Sequence, residues 1–348
     1  MRRNLSYQIV SESASDEFTL ETAYGITDVG KKRETNQDQF LIAQLNKSMF
    51  ISSTSLPMNT QSRLYGGEQG QLLLVADGMG GHAAGEKASS LAVDHLIARL
   101  LNSVHWFFQV DHDCEEDFIA ALQGLLQDAH SRILAESEIH HDQQGMGTTL
   151  TMAHVMWPRM YVVHAGDSRC YLIRDGVGEQ LTTDHTLAHQ LVESGGLKPE
   201  DEASSKWSNV LWNVLGGRGD GELIAEVRRA DLQEGDIIVL CSDGLHRYVE
   251  RRQLARIVTD LQDPRTICEH LLAMANDAGG EDNITIVVAR VEPPEDDDCK
   301  AEQAADSIPT LVELETQVEL ETQVDLSKDL DTDAGFETDA TLDDTLPG

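Results

Sequence analysis

Five aspartates, Asp38, Asp77, Asp167, Asp243 and Asp282, stand where apolar runs begin or end. Asp77 closes Leu72 to Ala76 and is followed by Gly78, Gly80 and Gly81. Asp167 follows Tyr161 to Gly166, and Asp243 follows Ile237 to Ser242. Asp282 precedes Ile284 to Val288, and Asp38 precedes Phe40 to Ala43. Taken alone, an Asp-Gly pair after an apolar run is a turn signal. Five such aspartates, each at the mouth of a buried strand, invite one explanation: their strand ends converge. A site of this kind offers only oxygen donors, which select hard cations, Mg²⁺ or Mn²⁺, over zinc or copper. Crowded carboxylates resist ionisation unless divalent charge neutralises them. Two divalent cations sharing a water would make hydroxide available near neutral pH and hold a tetrahedral anion for in-line attack, as phosphoester hydrolysis requires. Arg33, in a polar turn five residues before Asp38, carries the planar fork that grips phosphate oxygens, although a lone arginine in such a turn is more often simply solvated.

The elements that would position these residues are legible as changes of period. Residues 1–20 form a polar arm, ending in an edge strand near Phe18 to Tyr24. The stretch from Asn46 to Gly70 reads as a hairpin with an extended loop. Ala88, Leu91, Ala92, His95, Leu96 and Leu100 recur at helical spacing, as do Phe118, Leu122, Leu125, Leu126, Ala129 and Ile133 between Cys114 and Ser137. Strands are expected at 148–155, 160–165, 170–173, 237–241 and 284–291, with short helices near 187–192, 252–257 and 264–275. The interval 182–217 reads as a surface lobe. Strands and helices grouped in runs, without strict βαβ alternation, argue for an α+β arrangement of antiparallel sheets carrying helices on their outer faces.

With 61 acidic against 26 basic residues and a formal net charge of -35, nucleic acid and anionic membranes are poor partners. From Val291 onward there are 19 acidic and 2 basic residues, so the composition changes near Pro293-Pro294. The five cysteines are scattered, with no Cys-x-x-Cys, which signals neither a disulfide framework nor a zinc site. With no signal-peptide core and no spanning run, a cytoplasmic protein is expected.

Seven ordered motifs carry a resemblance: Arg33-x-x-Asn36-Gln37-Asp38, Asp77-Gly78-Met79-Gly80-Gly81-His82, Gly145-Met146-Gly147-Thr148-Thr149, Ala165-Gly166-Asp167-Ser168-Arg169, Leu181-Thr182-x-Asp184-His185, Ser242-Asp243-Gly244-Leu245 and Gly280-Glu281-Asp282-Asn283-Ile284-Thr285. Together they resemble the PPM family, the metal-dependent protein serine/threonine phosphatases of the 2C type, in their bacterial form. The resemblance implies a four-layer α-β-β-α sandwich over residues 21–291 and a flap at about 184–217. It implies that Asp38, Asp77, the Gly78 carbonyl, Asp243 and Asp282 hold a Mn²⁺ or Mg²⁺ pair, that Asp167 with Asp243 holds a third ion, and that Arg33 binds the substrate phosphate. Animal members carry a histidine directly after the Asp-Gly pair, proposed to protonate the leaving group. Here that position is Met79, and nearby His82 is given no such role.

Other readings are weaker. Gly78-x-Gly80-x-x-Ala83 imitates a dinucleotide fingerprint, but the acidic residue at the required distance, Asp94, falls inside a helix, and Asp77 would repel a pyrophosphate. There is no P-loop sequence. His140-His141-Asp142 reads as a solvated loop. A phosphatase fold lacking activity and serving as a scaffold is the alternative from another class, and the full set of ligand residues argues against it. The tail, residues 292–348, has too few apolar residues to order itself. It repeats Val-Glu-Leu-Glu-Thr-Gln at 312–317 and 318–323, and Thr310, Thr316, Thr322 and Thr341 each precede an acidic residue by three positions. These threonines are candidate sites for a serine/threonine kinase and for docking a forkhead-associated domain.

Overall fold

Every residue from Leu72 to Ala76 is buried, and alternate side chains serve different cores. Leu72, Leu74 and Ala76 pack with helical residues such as Ala88, Leu96 and Leu126, whereas Leu73 and Val75 pack with Ile238, Leu240 and Val287. A strand covered on both faces has no solvent side to mark with polar residues, hence the unbroken apolar run.

The computed structural model describes residues 7–10, 23–53, 55, 62–102, 115–217 and 222–291. Strands β1 (Tyr7–Val10), β2 (Ala23–Asp28), β3 (Asp38–Ile51) and β4 (Ser62–Met79) precede helices α1 (His82–Asn102) and α2 (Glu115–Ile139). Next come β5 (Gly147–Thr148), β6 (Leu150–Met156), β7 (Arg159–Ala165), β8 (Arg169–Arg174), β9 (Val177–Gln180), α3 (Leu187–Glu193), β10 (Leu215–Gly216) and β11 (Glu226–Asp231). The chain continues through β12 (Ile237–Cys241), α4 (Asp243–His246), α5 (Arg251–Leu261), α6 (Pro264–Ala278) and β13 (Ile284–Arg290).

Two antiparallel sheets result. The first runs β10-β5-β4-β6-β7-β11, with β1 and β3 also paired to β4; the second runs β2-β13-β12-β8-β9. Helices α1 and α2 cover the first sheet, and α5 and α6 cover the second through Val239, Cys241, Ile286 and Val288. The apolar layer between the sheets joins Leu73, Val75 and Val162 to Ile238, Leu240 and Val287. This is the expected α-β-β-α sandwich. The chain passes from the second sheet to the first between β2 and β3, and back again between β7 and β8. Those two crossings carry Arg33 and Asp167.

Three expectations need correction. The stretch 46–70 is mostly strand: β3 runs on to Ile51 and β4 starts at Ser62, paired through an irregularity between Asn46 and Ser48. Lys47 and Ser48 in β3 and Gly66 to Gly70 in β4 interrupt the apolar pattern there, so the extensions carry no continuous strand signal. The N-terminal arm contributes β1, paired with Arg63 to Gly66, while of the strand expected near Phe18 to Tyr24 the described part begins at Ala23. Edge strands β9 and β11 escape sequence reading because they are charged and largely exposed. The chain divides into two units, Met1–Pro293 and Pro294–Gly348; the described residues all belong to the first, so the acidic tail and its threonines lie outside them.

Candidate metal centre

Asp38 opens β3 and sits directly opposite Asp77 in the register with β4. Asp77 is clamped by its backbone: its N–H donates to Thr149 Oγ1 at 3.0 Å, while its carbonyl accepts from Thr149 N at 2.8 Å and Thr148 Oγ1 at 2.9 Å. The Gly-Thr-Thr motif therefore serves to fix Asp77. Its neighbour Gly78 cannot carry a side chain, because a Cβ there would lie 2.2 Å from the Gly85 carbonyl oxygen and 2.7 Å from that of Gln37. The glycine is required by the close approach of α1 and of the chain ahead of β3.

The second sheet supplies the rest. Asp243 begins α4 directly after β12, and Asp282 stands just ahead of β13. Ser242 and Thr285 reach across to the first sheet, donating to Asp38 Oδ2 at 2.8 and 2.7 Å. Asn283 holds the Arg33 loop, accepting from Gln37 N and donating to the carbonyls of Val29 and Thr35. Arg33 itself donates to Asp282 Oδ2 at 2.8 Å. Asp167 is buried in the β7–β8 crossing, with its carbonyl accepting from His246 Nε2 at 3.0 Å.

The electrostatics are those of an anionic cluster. Burial, followed by the charge of its neighbours, pushes Asp77 and Asp167 well above the usual carboxylate range. Burial lifts Asp38 to about 7 against the opposing pull of the Thr285 and Ser242 hydroxyls. Asp243 is raised by burial although Arg247 opposes it. Asp38 Oδ1 and Asp243 Oδ1 are buried without a hydrogen-bond partner among the described residues. An orphaned carboxylate oxygen is costly unless something positive meets it. All-oxygen donors with two orphaned lone-pair sites fit a hard divalent cation.

The lobe over 184–217, the segment that the resemblance reads as a flap, is rooted beside this cluster. Arg169 grips Asp184 through Nε (2.9 Å to Oδ1) and Nη2 (2.5 Å to Oδ2). His185 Nδ1 accepts from Gly166 N at 3.1 Å and from Asn213 Nδ2 at 2.9 Å. The far end of the flap returns through β10, which pairs with β5, which in turn pairs with Gly78 and Met79. Asn213 and Arg169 are anchoring residues to which sequence reading gave no task. Arg169 lies inside a motif and Asn213 in none, and the partners of both are distant in sequence.

His164, His185 and Glu226 also bring ligand-type atoms together. Their hydrogen bonds argue against a metal there. His164 Nε2 donates to the carbonyls of Gly166 and Thr183, and His185 Nδ1 is already an acceptor, so a metal on its Nε2 would demand an imidazolate. The trio is a flap anchor. His140 to Asp142 are exposed, as a solvated loop would be. Met79 is 36% exposed, and the His82 side chain lies outside the described residues.

A carboxylate centre where two stacked sheets exchange chain, covered by helices on both outer faces, defines a class of metal-centred α-β-β-α proteins. Comparison with known proteins gives the family. The sequence profile of protein phosphatase 2C matches residues 60–280. The serine/threonine phosphatase stp of Listeria monocytogenes is 34% identical over 265 residues, 75% of this chain and 92% of its own length. PstP of Mycobacterium tuberculosis is 37% identical over 235 residues, 67% of this chain and 42% of that protein. The crystal structure of PstP/Ppp from Mycobacterium tuberculosis superposes with a TM-score of 0.61 at 31% identity, covering 78% of this chain and 98% of that one. A PstP catalytic domain in complex with two manganese ions superposes at 0.59 with 30% identity over 78% and 98% of the two chains. The chain belongs to the protein phosphatase 2C family, whose members use Mn²⁺ or Mg²⁺.

Proposed function

We propose that the protein hydrolyses phosphoserine and phosphothreonine in protein substrates, by direct attack of water on phosphorus and without a phosphoenzyme. The observation that carries this reading is the pair of orphaned oxygens on Asp38 and Asp243 within one carboxylate cluster bordered by Arg33. Asp38, Asp77, the Gly78 carbonyl, Asp243 and Asp282 would hold two divalent cations, with Asp167 and Asp243 holding a third. When bound, the cations supply an activated water and offset the phosphate's charge.

The chain's own residues do the rest. Ser242 and Thr285 fix the Asp38 carboxylate, Thr148 and Thr149 fix Asp77, and Arg33 orients the phosphate. Arg33 is half exposed, so it can turn from Asp282 towards an incoming anion. A cysteinyl-phosphate route is unsupported: burial pushes the Cys241 thiol up to about 12, leaving it protonated at neutral pH. Met79 has no proton to give, so the leaving alkoxide draws one from another group or from solvent.

The partners we propose are phosphoproteins, the serine/threonine kinase whose marks the enzyme removes, and a forkhead-associated domain reading Thr310, Thr316, Thr322 or Thr341. We place the enzyme in the cytoplasm, in keeping with the free thiols of Cys170, Cys241 and Cys268. Among the described residues, no helix is long and apolar enough to cross a membrane. Turnover of a phosphothreonine peptide with Mn²⁺, abolished by Asp77→Asn, is the expected result. A metal-loaded wild type that leaves the peptide intact sinks the reading. Phosphopeptide mapping after incubation with a serine/threonine kinase tests the tail; an unmodified tail removes the docking idea.

A further inference from the structure

Arg247 follows α4 directly, and its side chain turns back over that single turn into the carboxylate cluster. Its Nη2 pairs with Asp243 Oδ2, and its Nη1 lies 3.8 Å from Asp282 Oδ2. Arg33 Nη2 contacts that same Asp282 oxygen. Two guanidinium groups therefore share one carboxylate, and each is near enough to meet the same tetrahedral anion.

A purely structural role for Arg247 fits the contacts poorly. A guanidinium recruited to stabilise one carboxylate uses its fork on both oxygens, as Arg169 does on Asp184. Arg247 instead spends a single nitrogen on each of two carboxylates and leaves Asp243 Oδ1 bare. Both carboxylates belong to the proposed ligand set, and the third carboxylate attracting Arg247 is Asp167, another member of it. The side chain is 31% exposed, so one side of it is open to solvent.

We propose that Arg247 is a second phosphate-binding group, held beside the site by Asp243 and Asp282 and turning to the phosphate when a divalent cation takes up those oxygens. The inference rests on the phosphatase reading above. A guanidinium and a divalent cation repel each other, and they compete for the same carboxylate lone pairs. Once displaced, Arg247 stays in the centre only by pairing with an anion, and the phosphate of substrate or product is that anion. Metal would thus precede phosphate in order of binding. Arg247 also opposes metal before it favours phosphate, and no residue that merely braces the carboxylates would have that pair of effects.

The test uses the full chain, stripped of metal, with two variants. Arg247→Met keeps the length and removes the charge; Arg247→Lys keeps the charge and removes the fork. In calorimetric titration with Mn²⁺, Arg247→Met is expected to bind about tenfold more tightly than wild type, since a competing cation is gone. In turnover of a phosphothreonine peptide at saturating Mn²⁺, inorganic phosphate should inhibit Arg247→Met about tenfold more weakly. Arg247→Lys should bind Mn²⁺ as wild type does and show weakened phosphate inhibition. Unchanged or weaker Mn²⁺ binding by Arg247→Met overturns the proposal, as does wild-type phosphate inhibition in either variant. Melting followed by circular dichroism checks that both fold; if Arg247→Met does not, the phosphate inhibition of Arg247→Lys decides alone. Failure of wild type to turn over the peptide would instead remove the phosphatase reading beneath it.

Discussion

At Asp38 one carboxylate oxygen is committed to two hydroxyls and the other to nothing among the described residues. The hydroxyls set the direction of the free oxygen, so at a metal-binding Asp38 Ser242 and Thr285 would act on the metal without touching it. Ser242→Ala and Thr285→Val should each weaken Mn²⁺ affinity by about 10–100-fold, the usual cost of losing a group that orients a ligand; titration calorimetry measures it. Replacing a proposed ligand outright is more severe: Asp38→Asn should lower kcat/KM for a phosphothreonine peptide by at least about a hundredfold, or ~2.7 kcal/mol. Gly78→Ala should destabilise the fold by about 1–3 kcal/mol in urea unfolding, because its methyl group would press on two backbone carbonyls. The aspartates themselves were legible in the sequence, since each follows or precedes a run that could only be buried. The hydroxyls were not. Serine and threonine are common beside strands, and only the opposing sheet turns Ser242 and Thr285 into partners of Asp38.

Among the elements, the flap is where sequence reading reached least far. Its helix α3 was recognisable, but its attachments reach back to the β7–β8 crossing: Arg169 on β8 grips Asp184, and His185 Nδ1 accepts from Gly166 N, ahead of β8, and from Asn213 Nδ2. The Arg169–Asp184 pair is largely buried, so removing one partner strands the other charge. Arg169→Met should cost about 3 kcal/mol. It should also expose the flap to trypsin, with faster cutting at Lys198 and Lys206 on a gel time course. A flap cut no faster than in wild type would mean that the pair does not hold it. The central strands were read well because both faces are apolar; β9 and β11 were missed because edge strands carry charge, which is how edges avoid unwanted pairing. The far halves of β3 and β4 were missed because Lys47, Ser48 and Gly66 to Gly70 break the apolar pattern there.

For the molecule as a whole, the carboxylate cluster links stability to metal and pH. Asp38 rises on folding from its ordinary 3.8 to about 7, and Asp77, Asp167 and Asp243 shift in the same direction. A group raised in this way favours the folded state while protonated, so that contribution is full below about pH 4 and is lost as pH climbs through about 7. The metal-free protein should therefore melt at progressively lower temperature as pH rises across that window. The gain on adding Mn²⁺ should widen over the same range, which scanning calorimetry would show; a melting temperature of the metal-free protein that rises with pH contradicts it. Sheet packing was legible at this scale too, because period and composition describe layers, whereas the joining of one layer to the other did not show. At the site end, β12 and β13 meet the start of β3 through side chains: Thr285 N donates to Ser242 Oγ, Gln37 N to Asn283 Oδ1, and both hydroxyls go on to Asp38. In exchange terms, those two amides are held by side-chain acceptors, Ser242 Oγ and Asn283 Oδ1, at the edge of the carboxylate cluster. Deuterium uptake at Gln37 and Thr285 should thus be quick in the stripped protein and slow once the centre fills, so that two backbone amides report occupancy with no substrate present.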